Sequence, residues 1–349
     1  MKRIADAHVH MKYYSPERVE AFLDEIHDVG VSQITLLSCA CIPSYDIVQN
    51  LALLKAKRDY RKMTVRAFGS FHEVDLYKNI PYEKQTEALL DMGFDGIKFL
   101  QMKPNYRKLV GKGINHPDYD KALSILEERG TPVIMHAADP ESSWDITKVS
   151  PEIVKAGWFY GDGTYPSCKE MYDEVYDMLS KHPRLNLTLA HLFFLSERRE
   201  DAIRLMETYP NVKLDITPGC EMFVNFSREI EKWREFFITY QDRILFGTDA
   251  SNSIDFSREL YNLVYTALTH DESIYEMPIW PQDVRGLNLP PNVVDKICYG
   301  NLQSFAGQPT TINNELFISA AKRMLEDIKG IESHKASVLW LEEFLGLNS

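Results

Sequence analysis

Eight times along this chain, a short run of β-branched and apolar residues gives way to a longer stretch with helical spacing. The strand-like runs are Arg3–His10, Val31–Ser38, Thr64–Phe71, Phe94–Leu100, Thr131–His136, Leu185–His191, Val212–Thr217 and Arg243–Asp249. They are nearly continuous in apolar character, as expected of parallel strands covered on both faces. Two architectures meet that requirement, a closed (β/α)8 barrel and an open doubly wound sheet. An open sheet usually carries a glycine-rich phosphate turn after an early strand, and the sequence has none. The count of eight therefore predicts an α/β fold, a (β/α)8 TIM barrel with a C-terminal helical extension. Such a barrel takes about 250 residues, and the chain has 349.

Helical spacing covers Pro16–Val29, Tyr45–Tyr60, Tyr82–Met92, Pro117–Arg129, Cys168–Lys181, Ser196–Tyr209, Glu221–Tyr240, Phe256–Thr269 and Asn292–Tyr299. The segment after strand four, with two lysines, Pro104 and two glycines, reads as loop. So do Asp271–Pro291 and the longer Ala137–Pro166, which holds Trp144, Trp158, Tyr160 and Tyr165. A loop of that length in a compact domain is usually functional. The barrel is assigned to residues 1–306. Residues 307–349 are the extension, two amphipathic helices packing on the barrel or at a dimer interface.

Composition narrows the partners. A net charge of −12 argues against nucleic acid and anionic membrane, both of which need a basic footprint. No apolar run approaches the roughly 18 residues of a membrane span and no leader is evident. Cys39, Cys41, Cys168, Cys220 and Cys298 form no Cys-x-x-Cys pair, so reduced thiols and a cytoplasmic location are expected.

In a parallel barrel, reactive side chains gather where strands end. Asp6-Ala7-His8-Val9-His10 closes the first strand, and residues two apart share a face, so His8 and His10 are expected to point together, with Asp6 beside them. His72 follows strand three and Lys98 lies on strand four. His136 ends strand five, His191 strand six and Asp249 strand eight. Any one of these histidines reads equally well as a hydrogen-bonded core residue. Together at one barrel end they read as a site. Imidazoles with one carboxylate suit Zn²⁺, and also Mn²⁺, Fe²⁺ or Co²⁺. Three nitrogens and a carboxylate leave a position for water, as in catalytic sites, and no cysteine joins the set.

Asp6-Ala7-His8-Val9-His10, the single histidines ending strands five and six, Gly247-Thr248-Asp249, and the closing Ile297–Phe305 segment together resemble the amidohydrolase superfamily. More narrowly they resemble its amidohydrolase-2 branch of metal-dependent hydrolases and decarboxylases. The resemblance covers about residues 1–306. It implies one divalent ion, Zn²⁺ first, held by His8, His10, His136 and Asp249. His191 would be the proton-transfer residue, with Asp249 also able to take a proton from water. The implied activity is hydrolysis of a C–N or C–O bond in a small organic molecule. Decarboxylation of a small aromatic or unsaturated acid is the alternative, and a non-catalytic metal-binding barrel is the reading from another class.

Lys98 divides the superfamily's options. Carbamylated, it would bridge two ions; as an ammonium it would bind a substrate carboxylate or pair with an interior acid, and one ion is expected. His72, Trp158, Tyr165 and Arg285 are candidate substrate-binding residues. Each has a plainer reading, as a loop-edge histidine, packing aromatics and a surface arginine. Asp139 reads as a turn or cap residue. A homodimer is expected from the apolar positions of the tail, Leu316, Phe317, Leu325, Trp340, Leu341 and Leu345.

Overall fold

The computed structural model describes residues 3–40, 45–218, 221–255, 257–271, 273–274 and 284–347. Cys41, Cys220, Phe256 and, in the Asp271–Pro291 loop, residues 272 and 275–283 lie outside the described residues. Nine parallel strands follow one another around the sheet: β1 (Ile4–His10), β2 (Val31–Leu37), β3 (Thr64–Gly69), β4 (Gly96–Met102), β5 (Val133–Ala137), β6 (Leu187–Leu189), β7 (Lys213–Asp215), β8 (Ile244–Leu245) and β9 (Ala250–Ser251). β8 pairs with β7, whereas β9 pairs with β1. These two short pieces are one barrel position, interrupted in the middle. Its central residues still bond to β1, Ala7 N donating to Phe246 O and Asp249 N to His8 O, each at 2.9 Å. The sheet is thereby closed, and the protein is a (β/α)8 barrel.

The interruption has a local cause. A Cβ on Gly247 would meet Thr217 Oγ1 at 2.2 Å and His8 Cβ at 3.1 Å, so the backbone can come this close to β1 and the β7 end only as glycine. Two residues on, Asp249 turns left-handed at φ 60°, which aims its carboxylate back over the barrel mouth.

Ala5, Ala7, Leu37, Phe68, Ile134 and Leu245 from five strands, with Ala190 just past β6, touch one another, which is possible only inside the barrel. Leu302 and Phe305 of helix Asn301–Ala306 join that cluster, as a plug for the lower end. β1 departs from regular alternation here. Its register with β2 shifts between Asp6 and Val9, a bulge that puts Ala5 and Ala7 on the axis. Asp6 therefore does not accompany the two imidazoles as the two-residue period predicts; its carboxylate accepts from Thr248 Oγ1 at 2.5 Å and from His8 N at 2.8 Å.

Several elements differ from the sequence reading. The expected loop after β4 contains helix Pro104–Val110, opened by proline at its first turn and closed by Gly111 at φ 77°. The expected helix Glu221–Tyr240 is two, Met222–Arg228 and Ile230–Thr239, broken at Glu229 (φ −134°, ψ 49°). The long segment after β5 holds a 3-10 turn, Glu141–Trp144, and helix Pro151–Lys155 capped by Ser150. No helix among the described residues is long and apolar enough to cross a membrane.

The tail helices, Asn314–Ile328 and Lys335–Phe344, fold back onto the first barrel units. Phe317, Leu325 and Leu341 are buried, and Trp340 Nε1 donates to Tyr14 O at 3.1 Å. Leu316, Ile318 and Leu339 remain exposed.

Candidate active site

His8 and His10 rise from the end of β1, and Asp249 leans in from the interrupted eighth position. His8 Nε2 and His10 Nε2 are 3.2 Å apart. Asp249 Oδ1 lies 3.2 Å from His10 Nε2 and 3.7 Å from His8 Nε2. A point equidistant from the three atoms sits about 2.0 Å from each, the length of a Zn–N or Zn–O bond. These three form the group among the described residues that could hold a metal ion.

His136 and His191 complete a ring of imidazoles at the mouth. Their ring centroids are 4.7 Å apart, and His191 is 5.3 Å from His8. Each of the four rings meets an acceptor-only group on one nitrogen. His8 Nδ1 donates to Asp215 Oδ2 at 2.9 Å and His10 Nδ1 to Leu37 O at 3.1 Å. His191 Nδ1 donates to Thr217 O at 3.2 Å and His136 Nε2 to Asp139 Oδ1 at 3.1 Å. These partners each take one ring proton, so the second nitrogen of every ring faces inward, with a lone pair or, as on His10, a proton. His8 Nε2 then faces His10 Nε2 at 3.2 Å, and His136 Nδ1 faces His191 Nε2 at 3.1 Å. Opposed lone pairs at such distances require a cation, a proton or a metal ion. The donor set fits a divalent metal, with the outward partners that orient metal-ligating histidines.

The electrostatics agree. Burial, with Lys98 adding to it, pushes His8 down to about 3, which keeps it in the neutral, ligating form. Burial likewise lowers His136 and His191. His10 goes the other way. Burial lowers it, but Cys39 and the Asp249 carboxylate outweigh that and raise it to about 10, so the ring keeps its proton beside Asp249 where no metal ion displaces it. Asp215 stays well below the usual carboxylate range; burial opposes this, and the charges and hydrogen bonds of His8 and His191 overcome it.

Backbone strain places His191. Residues His191 to Phe194 run through four successive left-handed conformations, φ 52° to 55°, at a cost of roughly 1–2 kcal/mol each. The fully buried Leu192 and Phe193 anchor the turn, Tyr172 OH donates to Phe193 O at 3.0 Å, and His191 N donates to Asp215 Oδ1 at 2.8 Å.

Above the imidazoles opens a cavity of about 570 Å³, within the range of small-molecule sites. His8, His10, His136, His191 and Asp249 line its floor, and Asp249 is half-exposed there. Trp158 lines the wall, 5.8 Å from Lys103 Nζ. The other expected substrate contacts lie elsewhere. Lys98 is fully buried beneath the floor, its Nζ 3.2 Å from His8 Nε2. His72 is turned to Asp75, donating from Nδ1 to Oδ2 at 2.5 Å, and is not in the lining. Tyr165 packs on Tyr160 (5.0 Å) and under Lys108 (4.0 Å), holding the loop down. Arg285 is exposed on a two-stranded ribbon, Ser273–Ile274 with Val284–Arg285, outside the cavity lining.

Several residues of the site escaped the sequence reading. Asp215 ends an apolar strand, the same signal that singled out the histidines. Asp139 is no mere turn residue: it accepts from His136, from Lys103 Nζ (2.9 and 3.1 Å) and from Tyr160 OH (2.6 Å). Lys103, Tyr45, Tyr106 and Glu221, all in the lining, lie in segments without any motif.

No curated protein sequence matches the chain. The structure is similar to 4-oxalomesaconate hydratase from Rhodopseudomonas palustris (10% identity, 93% of this chain and 99% of that chain, TM-score 0.53). It is similar to a putative amidohydrolase from Staphylococcus aureus (13%, 88% and 100%, TM-score 0.52). It is also similar to 5-carboxyvanillate decarboxylase from Sphingomonas paucimobilis (12%, 87% and 98%, TM-score 0.51). At these identities the likeness speaks for the barrel fold alone. The family model described as Amidohydrolase matches residues 48–301, most of the chain, and with it the chain belongs to the amidohydrolase family.

Proposed function

We propose that the protein is a metal-dependent hydrolase that cleaves a C–N or C–O bond in a small organic substrate. The observation that carries this reading is the inward-facing set of nitrogen lone pairs with Asp249, opening directly onto a cavity of substrate size. His8, His10 and Asp249 would hold the ion, and His136, whose nitrogens lie outside that donor triangle, would have to move in to serve as the fourth ligand. One divalent ion, Zn²⁺ first, supplies a Lewis acid that polarises a substrate oxygen and lowers the pKa of a water. Asp249, the most open of the three, takes a proton from the attacking water. His191 Nε2 carries a proton to the departing amine or alkoxide, while its Nδ1–H stays on Thr217 O. Asp215 holds His8 and the His191 backbone in register, and the buried Phe194 packs on the His136 and His191 rings. Lys98 is read as uncarbamylated, so it bridges no second ion, and its Nζ, 3.2 Å from His8 Nε2, would have to give up that contact when His8 ligates the ion.

A second reading is decarboxylation, favoured by Lys103 standing in a cavity walled by Tyr45, Tyr106, Trp158 and Phe194, a setting for a flat carboxylic acid. Assay of the metal-replete protein over esters, lactones, amides and carboxylated aromatics separates the two. Hydrolysis lost on chelation and restored by Zn²⁺ is the expected result. Release of CO₂ without any hydrolysis selects the second reading, and no turnover on either class rejects both.

A further inference from the structure

Behind the turn that carries His191 lies a second cavity, about 700 Å³, which shares no lining residue with the one above the imidazoles. It opens on the outer side of the barrel, between helix Cys168–Lys181 and helix Arg199–Thr208. Tyr172 and Leu195 form part of its wall and also brace the turn. Tyr172 OH donates to Phe193 O at 3.0 Å, and Leu195 N to Leu192 O at 3.1 Å. The inner wall is therefore fixed before any ligand arrives.

Charged side chains line this cavity in equal number, Lys169, Arg198 and Arg204 against Glu141, Asp173 and Asp201, so as a whole it is neutral. Lys169 closes on Asp173 at 2.5 Å, and Arg204 closes on Asp201. Arg198 and Glu141 are left. Arg198 Nε stands 3.6 Å from Glu141 Oε2 and Nη1 3.6 Å from Asp201 Oδ2, both beyond hydrogen-bond length. The guanidinium lies 4.5 Å over the Tyr172 ring and against the hydroxyl of that residue. Its Nη2 is buried and, among the described residues, has no hydrogen-bond partner. A buried donor left unpaired is costly, so the cavity calls for an acceptor there. Glu141 is exposed and, among the described residues, pairs with no cation but Arg198. A lone anion at Nη2 would unbalance the cavity; an anion carrying its own cation would not. A carboxylate with an ammonium on the next carbon meets both needs. Beside these charges the Tyr176 and Tyr209 rings, 6.3 Å apart and inclined by 22°, offer apolar surface together with Leu205.

We propose that this outer cavity binds a zwitterionic α-amino acid with an aromatic or apolar side chain. Arg198 takes the carboxylate, Glu141 the ammonium, and the Tyr176 and Tyr209 rings the side chain. The site is separate from the cavity above the imidazoles and stands whichever reaction occurs there.

The test is calorimetry on the full-length protein with L-phenylalanine and three analogues: 3-phenylpropanoate without the ammonium, phenethylamine without the carboxylate, and N-acetyl-L-phenylalaninamide without either charge. Phenylalanine is expected to bind once per chain, about ten-fold or more tightly than any analogue. R198M should bring phenylalanine down to the affinity of phenethylamine, and E141Q to that of 3-phenylpropanoate. Glu141 is exposed, so E141Q tests the assignment even where R198M fails to fold. The same dissociation constant is expected with and without bound Zn²⁺, which separates this site from chelation of an ion at the barrel mouth. Equal affinity for any analogue, a preference that survives E141Q, loss of binding with the metal, or no binding at all overturns the proposal. None of these outcomes depends on which bond the imidazole site cleaves.

Discussion

Asp215 accepts the Nδ1 proton of His8 at 2.9 Å, and both side chains are shut off from solvent. That bond fixes which nitrogen of His8 faces the site. The second oxygen of Asp215 takes the His191 backbone N–H, so one carboxylate orients both the His8 ring and the strained turn that carries His191. Asp215→Ala should weaken divalent-metal binding by roughly 10–100-fold, the usual penalty for losing such an outer partner. Competition against a chromophoric chelator measures it, and an unchanged dissociation constant would show that His8 needs no orienting group.

His191→Ala should keep the metal and lose turnover by about 10²–10⁴-fold, the usual share of a positioned acid or base. The ring sits beside the donor triangle, 5.3 Å from His8, with its Nδ1 committed to Thr217 O. Metal content and kcat measured on the same preparation separate the outcomes. Loss of stoichiometric metal would make His191 a ligand.

Much of this architecture was legible because strand and helix spacing repeat, and because strand ends in a parallel barrel carry the chemistry. His8, His10, His136, His191 and Asp249 could be read from that rule alone, and their convergence at one mouth follows from the closed sheet. Asp6 could not, because its orientation depends on a bulge that the two-residue period does not encode. Glu221 and Lys103 could not either, since a charged residue in an irregular segment shows its role only when the fold brings a cavity to it. Helix Pro104–Val110 was hidden by its length of 7 residues and by a proline that opens it rather than breaking it. Arg285 and Tyr165 had suitable chemistry, but the fold turned both away from the cavity.

Lys213 supplies a pH signature. Its ammonium is largely enclosed at the start of β7, bonded to Asn186 Oδ1 at 3.0 Å, with the Phe305 ring 5.4 Å away. Burial, reinforced by the Arg243 charge, lowers it from an ordinary 10.5 to about 8. Between these two values the unfolded chain binds the proton and the folded chain does not, so stability rises with pH across that window. Below pH 8 the full penalty is present, on the order of 1–2 kcal/mol after allowing for partial solvent screening. Lys213→Met should therefore flatten this part of the stability profile and gain stability at pH 7. Urea denaturation of both proteins from pH 7 to pH 10.5 reads the difference, and parallel profiles would show that the amine is fully solvated.

The central claim is that His8, His10 and Asp249 hold one divalent ion, with His136 moving in as the fourth ligand. Diffraction from crystals of the metal-replete protein, recorded on both sides of the metal absorption edge, tests it most directly. One anomalous peak per chain is predicted, about 2.0–2.3 Å from His8 Nε2, His10 Nε2 and an Asp249 oxygen. A peak on other residues, or two peaks bridged by density extending from Lys98 Nζ, would contradict it.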